Sequence, residues 1–379
     1  MYRPEFISLL EESIGPESAG IVLNALQEEP SVSIRLNPSK LQQCPFSGAE
    51  SVPWSLHAFY LKERPIFTLD PLFHAGCYYV QESSAMMVGH VFRQVLGDFG
   101  PGVTVLDLCA APGGKTTDLA ASLRERFGSS FSLLANEVMR NRYQVLRDNV
   151  RIWADDRVGT VSRDPSAFGS QPVFDIVLAD VPCSGEGMFR KDPTAVADWT
   201  PQLPEFCAAR TKRILSAIWP ALRPGGVLIY STCTFNHFEN ADTVRWIEES
   251  LGAEVLTLAD MTPAVPVGDG YAMLPGLVPG EGQYVAALRK HGEGTKSGNP
   301  FLLFKAEIPA DRSPSYPPVE VDRETALHYL HGDALMLPAD APIGFVSICF
   351  QGQSLGPAKN IGARCNNLYP KSNRIKMNI

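Results

Sequence analysis

Between residues 103 and 290 two patterns of apolar positions alternate. Short unbroken apolar runs come at "VTVLDLC" (103–109), "FSLLANE" (131–137), "VGTVS" (158–162), "FDIVLAD" (174–180) and "VLIYST" (227–232). A strand that is apolar at nearly every position has both faces covered, as in a parallel sheet between helices. Between these runs, "GKTTDLAASLRERF", "RNRYQVLRDNVRIW", "LPEFCAARTKRILSAIWPAL" and "ENADTVRWIEES" space their apolar residues three or four apart, the helical period. The third of these stops at "RPGG", and "GQYVAALRK" (282–290) is a late strand. Strand–helix alternation of this kind predicts an α/β fold with an open, doubly wound sheet.

The flanks follow other rhythms. In the first 72 residues "ESAGIVLNALQEE" has helical spacing and "SVSIRLN" alternates like a strand, which predicts a small α+β unit. "VPWSLHAFYLKERPIFTLDPLF" (52–73), rich in proline and aromatics, reads as a loop-rich join. "HGEGTKSGNP" (291–300) reads as a polar linker, and "PIGFVSICF" (342–350) as a strand of a last small domain. The expected division is therefore 1–75, 76–290 and 291–379. Beyond Pro357 the chain carries Lys359, Arg364, Lys371, Arg374 and Lys376 and no acid.

Composition narrows the class. Of 379 residues 45% are hydrophobic and 20% charged, ordinary values for a soluble globular protein. No apolar run is long enough to span a bilayer, and "MYRPEFISLLEESIGPES" has no signal-peptide pattern, so a cytoplasmic protein without a membrane partner is expected. The eight cysteines include no C-x-x-C pair, so neither a metal site nor a disulfide framework is expected. A net charge of -8 argues against a general nucleic-acid coat but leaves room for local basic footprints, on "RNRYQVLRDNVRIW" and on the tail.

Ligands of such sheets bind beyond the carboxyl ends of the strands. The first turn there is "CAAPGGKTT" (Cys109 to Thr117). It lacks the G-x-G-x-x-G of a nicotinamide site, and Cys109 stands where a phosphate loop has its first glycine, although "GKT" and "VLAD" keep an NTPase reading open. A third reading is S-adenosylmethionine, whose amino-acid end needs close backbone approach and whose ribose needs an acid. Glu137 ends the second strand about twenty residues past the glycines, as ribose recognition requires. Asp164, after the third strand, could accept from an adenine amino group or cap the next turn.

Two strands end in thiols, at "DVPCSG" (Cys183) and "YSTCTFN" (Cys233). There is no stacking aromatic after the proline, as an exocyclic-amine methyltransferase would have, so a cysteine suggests attack on a ring carbon. Adding a thiolate to carbon 6 of cytosine loads electron density onto carbon 5, a form of covalent catalysis. Asp180 is placed to stabilise the adduct near ring nitrogen 3. Cys233 is expected just before a helix starting near Glu239, whose N-terminus would raise its thiolate fraction. Cys44, Cys77, Cys207, Cys349 and Cys365 read as small buried hydrophobes, Cys109 as an unreactive lining of the cofactor turn, and His237 as a surface histidine.

"LDLCAAPGGKTTDLA", "NEVMRNRYQVLRDN", "DVPCSGEGMFRKDP" and "YSTCTFNHFEN" together resemble the motifs of the Sun/nucleolar-protein family of RNA cytosine-5 methyltransferases; "GCYYVQESSAMM", "SIRLN" and "NNLYPKSNRI" extend the likeness over most of the chain. The resemblance is nearest to bacterial members that methylate a cytidine of 16S ribosomal RNA. It implies a Rossmann-like S-adenosylmethionine methyltransferase sheet between a small RNA-binding α+β N-terminal domain and a small PUA-like RNA-binding C-terminal domain. It also implies Cys233 as nucleophile, Cys183 as the thiol that resolves the adduct, and Asp180 as adduct stabiliser. The cofactor contacts it implies are Cys109, Ala110, Ala111, Pro112, Gly113, Gly114, Lys115, Glu137, Asp164 and Asp180. The expected partner is ribosomal RNA or the small ribosomal subunit, and the chain is expected to be a monomer. The region from about 291 is shorter than in those bacterial members, so a subdomain is expected to be missing. The class set against this one is an RNA-binding assembly factor without catalysis, which an intact thiol pair disfavours.

Overall fold

A computed structural model describes residues 2–169, 171–309 and 315–379. Its centre is a nine-stranded sheet. Val158–Val161, Phe131–Asn136, Val103–Asp107, Phe174–Asp180 and Leu222–Thr232 lie side by side in that order and run parallel. Gln283–Lys290 joins antiparallel to Leu222–Thr232 and carries further antiparallel strands at Gly270–Met273, Val265–Val267 and Ala253–Val255. The register sets Val105 beside Leu133 and Ile176.

Because successive strand residues point to opposite faces, the sheet feeds two cores. Val105, Leu133 and Ile176 pack with Leu119, Leu123, Leu146 and Val150, which belong to helices Gly114–Phe127 and Arg140–Trp153. Leu106, Leu134 and Val177 pack on the other face with Leu215, Ile218, Val244 and Ile247, from helices Leu203–Ile218 and Ala241–Leu251. Every apolar run expected as a parallel strand is one. The last of them starts earlier, at Leu222, because Leu222 pairs with Phe174 and the "RPGG" segment bulges out before pairing resumes at Val227.

At the N-terminus, Val32–Leu36 is flanked by Ala58–Leu61 and Tyr78–Val80 in a four-stranded antiparallel sheet completed by Glu50–Ser51. The segment expected as a loop-rich join therefore supplies a strand; its alternation is hidden because Ala58–Leu61 is only partly buried. The first two helices, Pro4–Ile14 and Pro16–Ala25, do not cover this sheet. Their Phe6, Leu10, Ala19 and Val22 are buried in the core of the central sheet. The C-terminal unit is a further four-stranded sheet, Pro318–Glu320, Gly344–Phe350, Gln353–Asn360 and Cys365–Asn367, with helix Arg323–His331. The basic tail is not a free arm: two of these strands run through it, and Tyr369 and Ile375 are buried. Among the described residues no helix is long and apolar enough to cross a membrane, and no cluster of His, Cys, Asp and Glu could hold a metal ion.

Candidate active site

The carboxyl ends of the parallel strands bring together the first turn, Glu137, Asp180 and the two thiols. Asp107 closes the first strand, and the chain turns through Cys109–Gly113 into helix Gly114–Phe127. Gly113 makes that turn with φ +111°, a conformation that side chains other than hydrogen rarely adopt. The turn is clamped from outside. Arg142 donates to the Ala111 carbonyl (2.7 Å), Asn149 to that of Pro112 (2.8 Å), and Arg35 of the N-terminal sheet to that of Gly114 (3.1 Å). Inside, Ala110 N–H donates to the Asn136 carbonyl at 2.8 Å.

Among the described residues, two buried carboxylate oxygens near this turn have no hydrogen-bond donor, Oδ1 of Asp107 and Oε2 of Glu137. Buried acceptors are rarely left unpaired, so these two oxygens fit a ligand that brings hydroxyl and ammonium donors. Glu137 uses Oε1 to accept from Met139 N–H (2.9 Å), while Oε2 lies 3.4 Å from Arg142 Nη1 in an ion pair. Burial pushes the Asp107 carboxyl up to about 7, against the pull of its Thr116 hydrogen bond. Sequence reasoning passed over Asp107, although an acid at the end of a run that is buried throughout is itself a sign of special chemistry. Asp164 caps the turn after the third strand, its Oδ1 accepting from both Ser166 N–H (3.0 Å) and Ser166 Oγ (2.6 Å). Burial, with the neighbouring carboxylates of Asp107, Asp180 and Glu137, drives the Cys109 thiol far above its usual range, which suits an inert lining.

Asp180 accepts from Lys115 (2.9 Å), Ser231 (2.6 Å) and Gln283 (3.1 Å). Burial works to lower the Lys115 pKa, but Asp180, Cys233 and Asp107 outweigh it and hold the ammonium form. The lysine of "GKT" is thus engaged with the acid of "VLAD".

The sulfurs of Cys183 and Cys233 lie 3.2 Å apart. Their hydrogen bond and then burial push the Cys183 thiol well up, and either sulfur can donate across the contact. The positive charge near Cys233 is that of Lys115, not a helix N-terminus. The expected helix near Glu239 begins only at Ala241, because Asn236–Asn240 forms a turn whose side chains bond inward. Those bonds hold the thiols together. Glu186 accepts from Phe235 N–H (2.9 Å), Asn236 N–H (3.1 Å) and Trp199 Nε1 (3.1 Å). Glu239 accepts from Ser184 N–H (3.0 Å) and Asn236 Nδ2 (2.8 Å). Ser184 Oγ meets Thr234 Oγ1 at 2.7 Å, and Gly187 N–H donates to the Cys233 carbonyl at 2.9 Å. Neither glutamate was singled out from sequence, where an acid in a polar turn reads as solvated. His237 stands apart, its Nδ1 2.6 Å from Asp242 Oδ2. Cys77, Cys207, Cys349 and Cys365 are buried, and Cys44 is partly so.

Comparison with known proteins agrees with this architecture. Residues 98–289 match the family described as 16S rRNA methyltransferase RsmB/F. Residues 3–83 match the N-terminal domain of 16S rRNA methyltransferase RsmF, and 316–375 the methyltransferase RsmF PUA domain. Ribosomal RNA small subunit methyltransferase F of Salmonella paratyphi A is 34% identical over 289 residues, 71% of this chain and 59% of that protein. The Escherichia coli O6:H1 protein of the same name is 35% identical over 252 residues, 63% of this chain and 51% of that protein. This chain thus spans little more than half the length of these relatives. Among solved structures, a methyltransferase homolog from Pyrococcus horikoshii superposes with a TM-score of 0.62 at 27% identity, covering 76% of this chain and 95% of that one. NSun6 from the same organism, solved with SFG, shares the fold, with a TM-score of 0.64 at 18% identity over 77% of this chain and 99% of that one. With its central sheet, its N-terminal unit and its PUA-like C-terminal unit all matched, the chain belongs to the 16S rRNA methyltransferase RsmB/F family.

Proposed function

We propose that the chain is an S-adenosylmethionine-dependent methyltransferase acting on carbon 5 of cytidine in RNA, with 16S ribosomal RNA as substrate. The observation that carries this reading is the thiol pair, 3.2 Å apart at the carboxyl ends of adjacent strands. The named activity of the relatives supports it. S-adenosylmethionine, when bound, supplies an electrophilic methyl group. The turn Cys109–Lys115 would hold its amino-acid end, Glu137 its ribose and Asp164 its adenine, while the unpaired oxygen of Asp107 fits its ammonium group.

In this reading Cys233 attacks carbon 6 as the thiolate, stabilised by Lys115 and by the Cys183 S–H. The new S–C bond pushes the ring electrons toward carbon 5 and nitrogen 3, where a proton of the Lys115 ammonium, passed through Asp180, meets the charge and returns when the ring is restored. Once carbon 5 is substituted, Cys183, after passing its own proton to solvent, takes the proton of carbon 5. The electrons of that C–H bond restore the ring double bond and expel Cys233.

A gel with labelled 16S RNA and S-adenosylmethionine tests the roles. Cys183→Ala should leave attack intact but block release, giving a protein–RNA band that survives denaturation. Cys233→Ala and the double variant should give no band and no methylation. A band from Cys233→Ala alone would reverse the roles, and wild-type protein that never methylates cytidine would refute the reading.

A further inference from the structure

Behind the clamped turn lies a cavity of about 180 Å³, walled by Phe73, His74, Tyr79, Val80, Asn149 and Trp153. With Tyr78, five of its walls are aromatic, and they come from separate elements: helix Pro71–His74, strand Tyr78–Val80 and helix Arg140–Trp153. The cavity is distinct from the place where the thiols meet. Asn149 spends its Nδ2 on the Pro112 carbonyl (2.8 Å), and the Tyr79 ring backs Gly114 so closely that a Cβ there would sit 3.2 Å from it. The turn therefore stands between the cavity and the thiols.

We propose that this cavity receives one unpaired base of the substrate RNA, at a position other than the methylated cytidine. Aromatic walls stack on any base, because every base has a π-face. Asn149 Oδ1 accepts no hydrogen bond among the described residues and can take one from an exocyclic amine or a ring N–H. The surroundings match a phosphate backbone. Tyr369 of the C-terminal unit meets His74 at 3.3 Å, which sets the start of the basic segment 371–376 beside the cavity. Lys371 and Lys376 are exposed on that segment, and Arg151 lies on the adjoining helix face; Asp148 and, against Tyr78 and His74, Asp70 are acids close by. The volume suits one ring system and is too small for a base pair, so the RNA is unpaired at this point. Arg35 already covers one face of the Trp153 ring, 4.9 Å from its centroid, whereas Tyr79 lines the cavity with its hydroxyl 3.5 Å from Asn149 Nδ2, beside the amide that would meet the base.

This inference rests on the RNA reading above, and the test separates the two. Binding is measured with a short unpaired RNA carrying the methylated cytidine, and with versions in which each flanking base is removed in turn. At one flanking position, loss of the base should weaken wild-type binding by about five- to a hundredfold, the range for one base stacked on an aromatic ring. The same loss should have no further effect on Tyr79→Ala, and its full effect on Tyr79→Phe. Val80→Phe, which fills the cavity, should behave like Tyr79→Ala, so the test survives if either variant folds poorly. S-adenosylmethionine affinity should be retained in Tyr79→Phe and Val80→Phe, in which a ring still backs Gly114. If no base position couples to Tyr79 while the wild-type enzyme still methylates RNA, the inference fails and the reading stands. If the wild type neither binds nor methylates RNA, both fail. A Tyr79→Ala variant that loses cofactor and RNA together, with no base dependence, would show a structural role and overturn the inference.

Discussion

The two thiols announce themselves in the sequence, each at the end of an apolar run, but what keeps them 3.2 Å apart does not. Glu186 and Glu239 are 1% exposed and lace the two cysteine-bearing loops through backbone N–H groups. No local pattern marks them, because their burial is a product of where distant loops meet. Burial raises the Glu239 carboxyl to about 7, against the hydrogen bonds of Ser184 and Asn236. A folded-state pKa above the unfolded one means that the folded protein holds a proton the unfolded chain releases. The stability this confers is present below the unfolded value near 4.5 and is lost as pH climbs through about 7. At ~1.4 kcal/mol per pKa unit, a few kcal/mol ride on this group. Chemical denaturation across that window should fall less steeply for Glu239→Gln, which cannot ionise. Glu239→Ala should cost about 1–3 kcal/mol for each buried donor left unpaired and lower kcat more than it raises KM, since it loosens the loop of Cys183. An unaltered pH profile in the Gln variant would show that Glu239 is ionised throughout.

At the scale of elements, the parallel strands and their helices were readable because burial on both faces leaves an unbroken apolar run. The N-terminal sheet was only partly so. Val32–Leu36 lies between two strands and is almost wholly buried, whereas Ala58–Leu61 lies between it and the short Glu50–Ser51 and shows mixed burial, with proline and charge close by. The helix Arg140–Trp153 looked like a basic face for phosphates. In the structure two of its side chains do something else: Arg142 and Asn149 fasten the Cys109–Gly113 turn through its carbonyls. Arg142 also pairs with Glu137. Arg142→Ala should therefore weaken S-adenosylmethionine binding by about tenfold, in line with ~1.5 kcal/mol for a hydrogen bond to a charged group. Calorimetry can measure this beside an unchanged melting temperature. If affinity holds while RNA binding drops, the helix serves phosphates and the clamp is incidental.

At the scale of the whole molecule, the two ends of the chain share one core, which no pattern within either end could reveal. Ile34, Leu36, Leu72 and Tyr78 are buried together with Tyr329, Leu330, Val346 and Ile348. Arg323 donates to the Leu69 carbonyl (2.9 Å) and Gln353 to that of Lys40 (3.0 Å) across the same junction. The basic tail is thus a structural part as well as a charged one, and cutting the chain at Pro357 would sever strand Gln353–Asn360 and strip this core. A truncation cannot isolate the contribution of charge; substitution of exposed lysines can. Lys371 and Lys376 are exposed on the segment that follows Tyr369, which meets His74 of the proposed base cavity. Each phosphate contact to a single strand contributes about 0.7 to the slope of log affinity against log salt, through the counterions it releases. Lys371→Gln with Lys376→Gln should flatten that slope by up to about 1.4, weaken RNA binding at low salt and leave both melting temperature and S-adenosylmethionine affinity in place. The truncation should lower the melting temperature as well. A double variant with the wild-type slope would remove the tail from the RNA path, despite its charge, and leave the helix face around Arg151 as the remaining route for the backbone.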